Sequence, residues 1–490
     1  MLFDRFKEIF SDKKKAVYCA VLLFVMLFGA GLRINAYLMN PSMWYDEVSL
    51  ALNVQNNVFL PPLLNNQSAP FLFLILAKIC SLFSHSNFSY RFVPFISGLI
   101  SIPLFYIFAK NWIKSKLGLI AALFIFCINF RLIYFSREFK PYATDVLIFM
   151  LAIICFFKID FKKIAVLKSF LYGLLFAFLP LLSFPSLFVL ASVYIFTFFK
   201  DGFKNIKENW KEKICFAAPA VVFLPVYYFT VLSKYSSNEY LLDFWKKGFI
   251  TLKTALPIFF HVLDFFQEPL FANLFLIAAT AAGFIICIKQ NGKKCLFLIC
   301  ILFFVLLASY LHIYPIRERL ILFLYPTFLV FVFKIFDIKM FKAKFKNILL
   351  VLLIFVLSFG NNIKATLKAD LDEKFYCMEA INGLLNVLKH EHKDGEYIFP
   401  LPWSDVAFMH YNRFYKFPKK DIVIFKDNRS RDYTRPFWGV PKGKYWLIFT
   451  IRPDNYYRHA SLQEWLERDF KVIKIYQDHS SRMYYAEKIR

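Results

Sequence analysis

Cysteine motifs and nucleotide-binding loops are missing from this sequence. None of the nine cysteines forms a Cys-x-x-Cys pair, and most of them lie inside apolar segments. We therefore expect small apolar core residues, with neither a disulfide framework nor a zinc site. The residues from 361 onward contain no Gly-x-Gly-x-x-Gly, no phosphate-binding loop and no nucleophile elbow. Charges are also scarce in the middle of the apolar segments, which weighs against an ion-coupled transporter.

Apolar residues are abundant instead. Of the 490 residues, 59% are hydrophobic and 20% are aromatic, and 65 are phenylalanine. No soluble core needs so much apolar surface, so the composition indicates an integral membrane protein. In a soluble protein, the formal net charge of +26 would suggest binding to nucleic acid. In a membrane protein, Lys and Arg in cytoplasmic loops explain this charge, and we expect no nucleic-acid partner.

A membrane span needs about 17–25 mostly apolar residues. About eleven segments follow this pattern, some of them at its short limit: 16–38, 91–110, 117–134, 142–157, 168–183, 185–199, 214–232, 270–288, 295–312, 318–336 and 346–360. The apolar segment 69–83 is shorter. If this segment crossed the membrane, every later loop would change sides, and most of the Lys and Arg would no longer lie in cytoplasmic loops. We therefore predict an interfacial helix on the outer face for 69–83.

The positive-inside rule then predicts a cytoplasmic N-terminus and an extracytoplasmic C-terminal domain. Residues 1–360 are the predicted transmembrane domain. Long apolar runs stop after that point, and residues 361–490 are predicted to form a small α/β domain. The stretches "GEYIFPL" and "KYWLIFT" predict strands, and "KVIKIYQDHSSRMYYAEK" predicts a hairpin. The loops that contain residues 39–90, 135–142 and 312–319 lie on the outer side in this orientation.

An acidic pair, Asp46 and Glu47, follows the first span in "NPSMWYDEVSLALN". Aromatic and apolar neighbours place the pair close to the membrane surface, where ionisable groups are often functional. One carboxylate can serve as a base or nucleophile while the other binds a metal or orients its neighbour. A solvated loop pair without a catalytic role is the alternative.

Two further outer clusters combine charges with a helix end. In "SREFKPYATD", Arg137 and Lys140 precede a helix predicted to begin near Pro141, which suits phosphate binding; interfacial anchoring is the alternative. Asp145 lies about one turn into this helix, where the helix N-terminus alone would favour a carboxylate. In "HIYPIRERL", Arg317 and Arg319 either snorkel to the interface or bind a phosphate leaving group.

The order of these motifs resembles the GT-C-fold glycosyltransferases, in the bacterial branch related to protein mannosyltransferases and the lipid A aminoarabinose transferase. "WYDE" matches the family's first-loop Trp-x-Asp-Glu motif. "QSAPF", which begins at Gln67, matches a Gln-x-x-Pro-Pro stretch, with one Pro (Pro70) where two are usual. "SREFKPY" matches its Gln-Glu-x-Arg-Pro-Tyr turn at Glu138 and Tyr142, with Lys140 where Arg is usual. "YPIRERLILFLYP" and the tail from "INGLLNVLKHEH" resemble its later outer loop and its extracytoplasmic domain.

The resemblance implies a polytopic, all-helical, GT-C-like membrane domain in the bacterial inner membrane, with the α/β domain outside. It implies sugar transfer from a polyprenyl-phosphate donor to a glycan, lipid or protein acceptor, with inversion at the anomeric carbon. Asp46 is then the essential acid, supported by Glu47. The second acidic site is Glu138 or Asp145. A divalent cation held by Asp46 and Glu138 is a further expectation.

Two other classes of function stay open. A ligase or polymerase of surface polysaccharide would use the same kind of donor but would add a block or a chain. A flippase for lipid-linked sugars would also be polytopic and basic, yet it would form no glycosidic bond. A purely structural membrane protein would not require the repeated outer charge clusters.

Overall fold

The computed structural model describes residues 13–84, 86–199, 209–266, 270–338, 345, 348–350, 380–401, 404–424, 441–450, 464–478 and 481–489. By packing, these residues form two units. The transmembrane unit contains residues 13–39 and those from 58 to 350, and the C-terminal unit contains residues 40–57 and those from 380 onward. The domain boundary predicted near residue 360 stays a prediction, because residues 351–379 lie outside the described residues.

Helices make up the transmembrane unit. Their bounds are Lys13–Met39, Phe71–Phe83, Asn87–Lys110, Lys116–Ile128, Phe130–Arg137, Tyr142–Lys158, Val166–Ala177, Ser186–Phe199, Trp210–Ser236, Glu239–Trp245, Ala255–Phe266, Leu270–Tyr310 and Tyr325–Lys334. Short 3-10 turns lie at Leu64–Asn66, Leu179–Leu181, Lys246–Gly248, Glu318–Leu324 and Ile335–Asp337. Each predicted span from 16–38 to 318–336 therefore coincides with a helical segment. The predicted span 346–360 lies almost wholly outside the described residues.

Among the described residues, five helical segments are long and apolar enough to cross a membrane: Lys13–Met39, Asn87–Lys110, Trp210–Ser236, Leu276–Tyr310 and Arg319–Asp337. A sixth is added if Lys116–Ile128 and Phe130–Arg137, which meet at 46°, form one broken span. The segment predicted to be interfacial forms the 13-residue helix Phe71–Phe83. A helix of this length rises about 20 Å, less than the roughly 30 Å of a hydrocarbon core.

Glycine residues allow neighbouring helices to approach each other closely. A Cβ built on Gly173 would lie 2.1 Å from the carbonyl oxygen of Phe216, and one on Gly283 would lie 1.7 Å from that of Phe331. Close backbone approach at small residues is the usual packing mode of helices in lipid, where burial of apolar surface gives no driving force between helices.

A buried ion pair joins two segments of the transmembrane unit. Lys334 Nζ lies 2.8 Å from Asp337 Oδ2, and both side chains are almost fully buried. Asp337 also accepts hydrogen bonds from the backbone N–H groups of Lys114 and Ser115, at 2.9 and 2.7 Å. Lys334 donates in addition to the carbonyl oxygen of Trp112. The two charges are thus paired and multiply hydrogen-bonded, as buried charges must be to be tolerated.

The C-terminal unit is a small α/β layer. Its strands are β1 (Tyr397–Pro400), β2 (Lys444–Thr450), β3 (Phe470–Asp478) and β4 (Ser481–Lys488), in the order β1-β2-β4-β3. The pair β1–β2 is parallel, and the pairs β2–β4 and β3–β4 are antiparallel. The two predicted strands and the predicted hairpin are confirmed. The helices of this unit are Tyr45–Gln55, Asn382–Glu391 and Ser404–Tyr415.

A carboxylate network holds β1, β2 and β4 together. Glu396, which is 6% exposed, accepts hydrogen bonds from Tyr485 Oη at 2.6 Å, from Trp446 Nε1 at 2.7 Å and from the N–H of Lys393 at 3.1 Å. Burial alone would raise the pKa of Glu396, but these hydrogen bonds outweigh it and hold the pKa below its usual range. The ionised carboxylate is therefore part of the folded unit.

Candidate active site

A tight basic turn joins two helices of the transmembrane unit. The helix Phe130–Arg137 ends at Arg137, Glu138 has extended backbone, and the next helix begins at Tyr142 directly after Pro141. The N–H of Lys140 donates to the carbonyl of Glu138 at 2.7 Å. The side chains of Arg137, Glu138 and Lys140 are all at most 4% exposed. Three charged residues therefore lie within the protein at this turn, and not on its lipid-facing surface.

Lys140 contacts Gln67, another residue predicted from the motifs. Its Nζ donates to Gln67 Oε1 at 2.7 Å, and Gln67 itself is only 8% exposed. Gln67 Nε2 in turn donates to the carbonyl of Asn65 at 3.3 Å. These contacts connect the turn after Arg137 with the loop that precedes the helix Phe71–Phe83. The Lys140 ammonium group is thus oriented by a neutral amide.

Contacts with neighbouring helices also hold this basic turn in place. A Cβ on Gly98 would lie 2.5 Å from the Cβ of Ser136, so the helix Asn87–Lys110 approaches the end of Phe130–Arg137 very closely. Ser97 Oγ and Thr144 Oγ1 are 3.0 Å apart and join the same helix to Tyr142–Lys158. The rings of Phe73 and Phe139 stack at 5.6 Å between centroids. Both sides of the turn are held by described contacts.

Arg319 lies against two aromatic rings. Its Cζ is 5.6 Å from the ring centroid of Tyr142 and 5.9 Å from that of Trp245. Such distances correspond to cation–π contacts. The segment that carries Arg317 and Arg319 is tied to the preceding loop, because the N–H of Ile316 donates to the carbonyl of Gly248 at 2.8 Å. Of the predicted residues, the structure thus pairs Arg319 with Tyr142 and Lys140 with Gln67.

A cavity of about 180 Å³ lies beside these contacts, within the transmembrane unit. Its walls are mostly aromatic and apolar. The residues that line it include Tyr142, Asp145, Phe184, Phe188, Tyr235, Trp245, His312 and Tyr314. Tyr235 and Trp245 both line this cavity. Tyr240 and Phe244, in the same segment of the chain, are 47% and 55% exposed.

Asp145 is the acidic side chain in the wall of this cavity. It is 6% exposed, and Oδ1 has no hydrogen-bond partner among the described residues. Tyr314, which donates to the carbonyl of Leu320 at 2.7 Å, faces the same cavity. Burial, and next the charge of Asp145, raise the pKa of Tyr314 well above its usual range, so its hydroxyl keeps its proton at neutral pH.

Asp46 and Glu47 lie in the C-terminal unit, in the first turn of the helix Tyr45–Gln55. A helix N-terminus favours carboxylates electrostatically. Asp46 is half-buried and Glu47 is 2% exposed. The helix is bound within its unit by hydrogen bonds from Met43 N–H to Tyr411 Oη at 2.7 Å and between Gln55 Nε2 and His410 Nδ1 at 3.0 Å.

No group of three or more His, Cys, Asp or Glu side chains in the described part of the chain is arranged to hold one metal ion. Asp46 and Glu138, the expected ligands, belong to different packing units. The divalent cation therefore stays a prediction.

The comparisons with known proteins give a match in structure only. No family model matches the chain, and no curated protein matches its sequence. ArnT from Cupriavidus metallidurans bound to undecaprenyl phosphate aligns with a TM-score of 0.55 over 96% of this chain and 97% of its own, at 8% identity. The chain has the fold of ArnT.

ArnT in the apo state, from the same organism, aligns equally well, with a TM-score of 0.55 over 95% of this chain and 98% of its own at 9% identity. ArnT is a lipid A aminoarabinose transferase with a GT-C fold. The GT-C resemblance inferred from the motifs is therefore confirmed for the fold. With its apolar helices and ArnT fold, the chain is a multi-pass membrane protein. The roles of the individual site residues stay predictions.

Proposed function

We propose that this protein transfers one sugar from a polyprenyl-phosphate donor to an acceptor at the outer face of the bacterial inner membrane, with inversion at the anomeric carbon. The observation that carries the proposal is the buried Lys140–Gln67 contact within a fold shared with ArnT, whose crystal structure contains undecaprenyl phosphate. The proposal includes the topology inferred from the charge bias, with the N-terminus in the cytoplasm.

The phosphate of the donor is assigned to the basic turn. Lys140 is oriented by Gln67, and Arg137 ends the adjoining helix. Arg317 and Arg319 lie in a second segment, and a guanidinium group can hold two phosphate oxygens at once. When the bond to the sugar breaks, negative charge increases on the phosphate. Preformed buried cations stabilise this charge most strongly, since little water screens them.

The sugar is assigned to the aromatic cavity. At about 180 Å³ the cavity is smaller than the roughly 300–1,000 Å³ of pockets for drug-sized ligands. It suits a single sugar ring and not a prenyl chain. Aromatic walls would cover the apolar face of the ring, and Asp145 and the Tyr314 hydroxyl would meet its polar groups. If this assignment is right, Trp245→Ala should change which sugar is accepted more than it changes binding of undecaprenyl phosphate.

The chemical step is a single displacement. The acceptor oxygen forms a bond to the anomeric carbon while the bond from that carbon to the phosphate oxygen breaks, and the phosphate leaves with the electron pair. The acceptor proton is transferred to Asp46, which acts as the general base, and Glu47 orients it. The displacement is written without a metal ion. Sugar transfer measured with and without a chelator tests the predicted cation separately.

Isosteric replacement tests the base. Purified full-length Asp46→Asn should lose sugar transfer from a polyprenyl-phosphate donor by at least about 100-fold, the size typical of general-base removal. Binding of undecaprenyl phosphate should stay within about twofold, because Asp46 does not touch the phosphate in this account. The matched control is Asp394→Asn, which removes an 88% exposed carboxylate from the same unit. Near-normal transfer by Asp46→Asn would remove Asp46 from the role of base.

A further inference from the structure

A break in one helix sets the direction of the helix that carries Arg137. The helix Lys116–Ile128 stops at Asn129, whose backbone is extended, and Phe130–Arg137 continues at an angle of 46°. Asn129 Oδ1 accepts a hydrogen bond from the N–H of Leu132 at 2.9 Å and so caps the second helix. Any change in this angle moves the far end of Phe130–Arg137, which is the basic turn.

The other side of the break is capped by a side chain from a different helix. The last carbonyl groups of a helix have no partner within it. Arg33, on the helix Lys13–Met39, donates from Nη1 to the carbonyl of Cys127 at 3.0 Å and from Nη2 to that of Phe126 at 3.3 Å. Nη1 also donates to the carbonyl of Gly29 in its own helix at 3.0 Å. Arg33 is 1% exposed.

Close packing allows this contact. A Cβ on Gly29 would lie 2.6 Å from both Cβ and Sγ of Cys127, so the two helices touch at this glycine. Any larger residue there would push the helices apart and withdraw Arg33 from the carbonyl groups. Gly31, two residues further on, would meet nothing within 4 Å.

We propose that Arg33 is a positioning residue for donor binding, which rests on the proposed function. It fixes the broken end of Lys116–Ile128 and thereby the place of Arg137 and Lys140, which lie nine and twelve residues after Ile128. Its cationic group suits the negative end of a helix dipole. The planar guanidinium reaches two carbonyl groups at once, whereas a lysine ammonium is a single point charge. Arg33 touches neither the phosphate nor the sugar in this account.

A double-mutant cycle tests the inference. Arg33→Gln, Lys140→Met and the double variant are compared for the dissociation constant of undecaprenyl phosphate in purified full-length protein. We expect Arg33→Gln to weaken binding about tenfold, and to have a clearly smaller effect once Lys140 is replaced, because the residue acts through the turn that carries Lys140. Arg33→Lys should recover part of the loss. Equal effects of Arg33→Gln in both backgrounds would show a general structural role and overturn the inference.

A second variant does not depend on removing a charge. Gly29→Ala should weaken undecaprenyl phosphate binding in the same direction as Arg33→Gln, and the matched Gly31→Ala should leave it unchanged. Equal binding by Gly29→Ala, Gly31→Ala and the unmodified protein would contradict the inference.

The failure of the proposed function can be told apart from the failure of the role inferred for Arg33. If the unmodified protein does not bind undecaprenyl phosphate, the proposed function fails. If it binds and the cycle shows no coupling, only the role of Arg33 fails.

Discussion

Lys140→Met removes the ammonium group at the centre of the predicted phosphate site and keeps most of the apolar stem. Lys140 is 4% exposed, and its described side-chain hydrogen bond, to Gln67 at 2.7 Å, is with a neutral group. This hydrogen bond orients the ammonium group. In the proposed function the ammonium meets the phosphate of the donor, and the variant loses this contact.

The expected loss follows from buried electrostatics. Two unit charges about 4 Å apart attract by on the order of 4 kcal/mol at an effective dielectric constant of about 20. Desolvation offsets part of this attraction, and truncation of one partner in a buried charge pair costs about 2–5 kcal/mol. A loss of about 3 kcal/mol corresponds to binding weaker by a factor on the order of 100.

The assay is titration of undecaprenyl phosphate into the purified protein in nanodiscs. Lys163→Met is the matched control, since Lys163 is 85% exposed and its ion pair with Asp160 is long, at 3.9 Å. Exposed pairs of this kind contribute little, so the control should bind within about twofold of the unmodified protein. Gln67→Leu should give an intermediate loss. Unchanged affinity in a folded Lys140→Met protein would refute the assignment of the phosphate to this turn.

Two further predictions concern stability. Asp337→Asn leaves Lys334 buried without its carboxylate and should lower the free energy of unfolding by about 3–5 kcal/mol. The thermal midpoint should fall, and the double variant Lys334→Met/Asp337→Leu should partly restore it. An unchanged midpoint in the single variant would contradict this prediction. Glu396→Gln should speed hydrogen exchange in β2 at neutral pH. Because the folded pKa of Glu396 is lowered, its stabilising effect is present above the unfolded pKa of about 4.3 and is lost as pH falls through the lower folded value. When the pH is lowered, hydrogen exchange in β2, corrected for its intrinsic rate, should therefore speed up more in the unmodified protein than in Glu396→Gln. An equal increase in both proteins would count against the network.

Apolar runs were sufficient to predict where the helices lie, because a membrane segment must be apolar along its whole length. The polar residues between 288 and 295 predicted a break between two spans, and the backbone leaves the helical conformation there, at Asn291, within Leu270–Tyr310. Apolar runs did not predict every break. The predicted span 117–134 is divided at Asn129, where Lys116–Ile128 and Phe130–Arg137 meet at 46°.

The residues of the candidate site were predicted better than their partners. Motif order pointed to Gln67 and Lys140, which are 73 positions apart, but no periodicity relates them, and only the fold brings them to 2.7 Å. His312 and Tyr314 gave no signal, since single aromatic residues are common in this chain. Residues 40–57 pack with His410 and Tyr411, which only the tertiary structure could reveal.

The most direct test of the central claim is the mass of the product. Unmodified protein is incubated with a polyprenyl-phosphate-linked sugar and candidate acceptors, with and without chelator, and the acceptors are analysed by mass spectrometry. We predict an increase of one sugar residue on an acceptor, matched by release of the polyprenyl phosphate. A block or chain of sugars would indicate a ligase or polymerase. An intact donor found on the other side of the membrane, with no glycosidic bond formed, would indicate a flippase and contradict the account.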